Sequence, residues 1–76
     1  MALMFKTKPS APTKIEKRVS KIATSDLLGY TEVNLSVLGQ GLSMYRRDSS
    51  RQALEEAIMS AEVVVALLLE MRSRGM

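Results

Sequence analysis

The sequence has no cysteine and no histidine. Disulfides and zinc sites built on Cys and His ligands are therefore excluded, as are thiol nucleophiles, imidazole bases and Ser-His triads. No serine is followed three residues later by lysine, so a Ser-x-x-Lys dyad is missing too. Aromatic residues make up only 4% of the chain, which leaves little for base stacking or for anchoring an interfacial helix. Long apolar runs are scarce as well. The longest in the C-terminal part, Val63 to Leu69, is seven residues, against about 20 needed to cross a bilayer. The opening Met1-Ala2-Leu3-Met4-Phe5 is too short for a signal-peptide core, and lysines follow it where a cleavage site would stand. A cytoplasmic protein with no membrane span is the expectation.

What remains is 76 residues, 46% hydrophobic and 25% charged, a composition that fits one small domain. A chain this short buries only about 60% of its unfolded surface and usually needs a disulfide, a metal or a partner subunit. With the first two largely removed by composition, a second subunit is the support left. The eight acids are the only candidate metal ligands, and no cofactor is expected.

Charge is unevenly placed. Residues 1–22 carry Lys6, Lys8, Lys14, Lys17, Arg18 and Lys21 against Glu16 alone, a net +5, whereas the rest of the chain is net −2. Such asymmetry suits either contact with an anion such as DNA or RNA, or salt bridges to an acidic patch on another subunit. Residues 1–12, with Pro9 and Pro12, read as a flexible basic arm, and residues 13–76 as a single helical domain.

Helix signals begin at Thr13-Lys14-Ile15-Glu16, which has the form of a capping box. Ile15, Val19, Ile22, Ala23 and Leu27 follow at spacings of three and four, and Gly29 offers a stop. The expected first helix is about 13–28. Residues 31–46 admit two readings. As a helix capped by Thr31, they place Leu35, Leu38, Leu42 and Tyr45 on one face, with Gly39 and Gly41 tolerated if they permit a close helix crossing. As a β-hairpin over 32–46, they alternate Val33, Leu35 and Val37 with polar residues and turn at Gly39-Gln40-Gly41. Helical flanks favour the former. The fold expected is mainly α, a bundle of two to three helices completed by oligomerisation, and the alternative is α+β with that hairpin packed on the C-terminal helix.

The third helix, about 50–73, is the clearest. A second capping box lies at Ser49-Ser50-Arg51-Gln52, Arg72 and Arg74 fall near the negative end of the helix dipole, and Gly75 terminates it. Seven consecutive apolar residues, each turned by about 100°, cover the whole circumference of a helix. One amphipathic helix and one ambiguous segment cannot enclose such a rod. The expectation is a homodimer or higher oligomer, with Leu54, Ile58, Ala61, Val64, Val65, Leu68 and Met71 at the interface.

The segment from Leu42 to Met71, with Tyr45-Arg46-Arg47-Asp48 between two helical patterns, resembles the helical hairpin of all-α nucleoside triphosphate pyrophosphohydrolases. That family's metal-binding carboxylates would fall at Asn34 with Val37 and at Met59 with Glu62. Only Glu62 could be a ligand, so the resemblance does not carry the activity across. On the strand reading, the order of elements is similar to that of ribbon-helix-helix repressors, with Glu32, Asn34 and Ser36 facing outward.

The function expected is therefore non-enzymatic: a self-associating adaptor or regulatory module that binds a further protein. The alternative is a nucleic-acid-binding regulator using Lys6, Lys8, Lys14, Lys17, Arg18 and Lys21, with Arg46, Arg47 and Arg51 as a second cluster.

Overall fold

A computed structural model describes residues 14–76, which form three helices: α1 (Lys14–Ser20), α2 (Thr24–Asp48) and α3 (Arg51–Ser73). The described residues contain no strand, so the chain is a small helical bundle and the β-hairpin alternative fails. With it goes the likeness to ribbon-helix-helix repressors. The proposed arm and the Thr13 cap lie outside the described residues.

Helices α2 and α3 pair as an antiparallel hairpin. Their connection is two residues long, and each does separate work. Ser49 adopts the left-handed conformation (φ 54°, ψ 34°), and its N–H donates to the Tyr45 carbonyl at 2.7 Å, closing α2. Ser50 then caps α3, its hydroxyl accepting from the Ala53 N–H at 3.2 Å. At the far end Gly75, at φ 77°, completes a Schellman turn in which the Met76 N–H reaches the Met71 carbonyl and the Gly75 N–H reaches that of Arg72.

The seam between the two helices is made of small residues toward the turn and of larger ones toward its open end. From α3, Ala53, Ala57, Ser60, Val64 and Leu67 are buried at alternating spacings of four and three; from α2, Leu27, Thr31 and Gly41 meet them. A β-carbon on Gly41 would lie 3.1 Å from the Ala53 carbonyl oxygen and 3.3 Å from the Ala57 β-carbon. The close crossing expected of the glycines is thus real at Gly41, whereas Gly39 has open space around it.

Larger side chains gather where the hairpin opens. Val19, Leu27 and Leu67 form the buried core, and Ile15, Ile22, Val63, Ala66 and Met71 pack around it. Helix α1 crosses there and rests on α3, presenting the apolar face read from the sequence.

Two boundaries differ from expectation. The chain does not stop at Gly29 but turns at Lys21–Ala23, and α2 runs without a break through Gly29 and Thr31. Helix α3 reaches only the level of Thr24, where the Arg74 guanidinium donates to the Thr24 hydroxyl. A straight helix from 13 onward would carry Ile15 and Val19 beyond the end of α3, uncovered. Folding back at Lys21–Ala23 buries them instead, and Thr24-Ser25-Asp26 suits the start of a new helix. Thr31 is consequently no cap: it is buried, and its hydroxyl donates to the Leu27 carbonyl at 2.8 Å. The inward face of α2 passes through Leu38, while Leu35, Leu42 and Tyr45 are exposed.

Candidate functional site

The large apolar side chains missing from the turn end of the seam are found on the outside. Val64 and Leu67 are enclosed within the chain, but Val65, Leu68 and Leu69 stay 44–54% exposed in the same turns of α3. The seven-residue apolar run is therefore covered on one side and open on the other. Of the residues expected at an interface, Ile58, Val65 and Leu68 are exposed, and Leu54 and Ala61 are partly so. Val64 belongs to the intrachain seam, and Met71 packs against the core, its sulfur 3.7 Å from the Thr31 hydroxyl. Those two therefore lie inside the chain's own packing, which draws on the 60, 64, 67 and 71 positions that face α2.

Helix α2 contributes a row that sequence reading missed. Leu28, Leu35 and Leu42 recur at intervals of seven and are each about half exposed. Relative to the seam they lie about 60–100° further round the helix, and Leu54, Ile58, Ala61, Val65 and Leu68 lie about 60–140° further round α3. Because the helices are antiparallel, displacements of the same sense bring both rows to one side of the hairpin. Helix α1 occupies the opposite side, where Ile15, Val19 and Ile22 line a groove with Tyr30, Asn34 and Val63. The seven-residue repeat of leucines was the signal available in the sequence. The inward face was instead assigned to Leu35, Leu38, Leu42 and Tyr45, which hid it.

One guanidinium ties α1 to the hairpin. Arg74 Nε donates to Glu70 at 2.7 Å, its Nη1 to the Thr24 hydroxyl at 2.9 Å, and its Nη2 to the Ser20 and Val19 carbonyls at 3.2 and 3.5 Å. Those carbonyls end α1, where the negative pole of the helix favours a cation; that of Val19 also accepts from the Ile22 N–H at 3.1 Å. The sequence reading placed Arg74 at the end of its own helix, not at the end of another.

The basic residues divide into two groups. Lys14, Lys17 and Arg18 are exposed on α1 and Lys21 in the turn that follows it, while Arg46, Arg47 and Arg51 are exposed around the α2–α3 turn. Arg47 reaches Asp48 at 3.5 Å. The turn lies at the end of the hairpin away from the Thr24–Arg74 junction, so the two groups do not join into one patch. Lys6 and Lys8 lie outside the described residues. Among the described residues no three carboxylates come together in a way that could hold a metal ion, and no helix is long and apolar enough to cross a membrane.

No family model matches the chain, and neither a curated protein nor a solved structure does.

Proposed function

We propose that the chain is a non-enzymatic interaction module that self-associates through the outer face of α3 and presents the assembled surface to another protein as an adaptor or regulator. The observation that supports this is the split within one stretch of helix: Leu67 is 1% exposed, while Val65 is 54% and Leu68 49% exposed. Contiguous apolar surface of this kind on a small chain marks an interaction site. The test is molar mass by light scattering across micromolar concentrations. Assembly above the 8.4 kDa of one chain supports the reading, and a monodisperse single chain throughout overturns it.

A second reading, contact with DNA or RNA, draws on the exposure of Lys14, Lys17 and Arg18 along α1 and of Lys21 just after it. Its affinity should fall steeply with salt, because each phosphate contact releases counterions. Binding at low salt that survives Lys17→Glu with Arg18→Glu would remove α1 from this role.

A further inference from the structure

The geometry points to a specific partner for the open face: a second copy of this chain, packed hairpin against hairpin so that Leu28, Leu35 and Leu42 of α2 become interface residues together with the α3 row. The inference rests on the self-association reading above and extends it from one helix to two.

Three features argue for a second copy. The first is an inverted distribution of side-chain size. The intrachain seam is built around Gly41, Ala53, Ala57 and Ser60, whereas most of the leucines on α2 and α3 point away from it. A hairpin assembled this way brings its helices close yet encloses few large side chains, so the substantial apolar core has to form elsewhere. Pressing two such faces together creates it.

Area is the second. If completely covered, the exposed portions of Leu28, Leu35, Leu42, Leu54, Ile58, Ala61, Val65 and Leu68 would bury roughly 600 Å² per copy, or about 1,200 Å² for a facing pair, the lower bound for stable protein interfaces.

Third, the surface is self-complementary in pattern and charge. Both rows keep heptad spacing, the requirement for knobs from one helix pair to enter holes of another. Neither row contains a charged residue between its first and last leucine; Arg46 and Arg72 come only beyond the ends, and Glu32 and Glu62 lie at the outer margins of the α2 and α3 rows. A surface without charge at its centre offers nothing to select an oppositely charged partner, and it does not repel its own copy. Two hairpins joined this way make a four-helix bundle with α1 on each outer side.

The absence of native cysteine makes a clean test available. Single variants Leu35→Cys, Leu42→Cys and Val33→Cys of the full chain would be alkylated with a thiol reagent at protein concentrations below and above the assembly midpoint. Val33 is 61% exposed and lies on the α1 side, so it serves as the reference. The expected result is that labelling of Leu35→Cys and Leu42→Cys slows at least tenfold on assembly, while that of Val33→Cys is unchanged. A chain that assembles while Leu35→Cys and Leu42→Cys label as fast as Val33→Cys would overturn the two-helix interface and leave self-association through α3 standing. A chain that never exceeds one copy would overturn both. Circular dichroism on each variant verifies that the helices are retained.

Discussion

Gly41 and Ala57 stand so close across the hairpin that a β-carbon on the glycine would come within 3.3 Å of the alanine's own, and within 3.1 Å of the Ala53 carbonyl oxygen. The second of these neighbours is backbone and has little freedom to yield. Replacing Gly41 by leucine should therefore push the helices apart at the turn end, at a cost of about 1–3 kcal/mol from overpacking. The measurement is the denaturation midpoint, which should fall. An unchanged midpoint would mean that the crossing is looser than its geometry indicates.

Gly29 offers the contrast. It lies inside α2, has ordinary helical backbone and has nothing within 4 Å of its absent β-carbon. Gly29→Ala should stabilise the chain by about 0.5–1 kcal/mol, since alanine loses less backbone entropy in a helix. Thermal unfolding of the two glycine variants side by side should shift in opposite directions.

These two glycines also illustrate what could be read from the sequence. Helical content, the α3 boundaries and the Gly75 terminator follow from local chemistry, and local patterns carry them; the cap of α3 falls on Ser50, one residue past the Ser49 of the expected capping box, because Ser49 closes α2. The end of α1 does not, because Gly29 is a stop signal only where the chain needs a left-handed residue. What decides the break is the length of α3, which ends level with Thr24. The inward face of α2 was misplaced for a related reason. Leu35, Leu42 and Tyr45 look like a core stripe, but Ala53 and Ala57 set a separation that only Gly41 can match. Small residues specify the crossing, and hydrophobicity scales register them weakly. The exposed stripe on α3 was legible, because seven consecutive apolar residues cannot all face a single partner helix.

Arg74 joins three elements through one guanidinium, so its loss should act on α1 more than on the hairpin. Arg74→Ala removes the bond to Glu70 and the donors to the α1 carbonyls and to Thr24. Arg74 and Glu70 are only about one-fifth exposed, so the pair is partly shielded, and a loss of about 1–2 kcal/mol is expected. Lysine should restore little, since an ammonium cannot span Glu70, Thr24 and the helix end together. Amide hydrogen exchange is the direct readout: protection of α1 should fall while that of α2 near Gly41 is kept. Equal losses in both would show that α1 and the hairpin unfold as one unit.

Leu67 and Leu68 are neighbours in sequence with opposite surroundings, and their variants should separate folding from assembly. Leu67 is fully buried against Val19 and Leu27, so Leu67→Ala removes contacts within a single chain. A cost of about 2–4 kcal/mol is expected from lost burial and the cavity left behind. That loss is set by contacts inside each copy, so the helical signal should weaken at every protein concentration. Leu68 is half exposed on the open face, and aspartate there is harmless to an isolated hairpin but places an unpaired charge in the proposed interface. Leu68→Asp should therefore behave like the native chain at the lowest concentrations and fail to gain stability as concentration rises, whereas the native chain gains it by mass action. Denaturation curves at two concentrations at least a hundredfold apart decide the matter. If the native chain and Leu68→Asp both prove insensitive to concentration, the open face is not where copies meet.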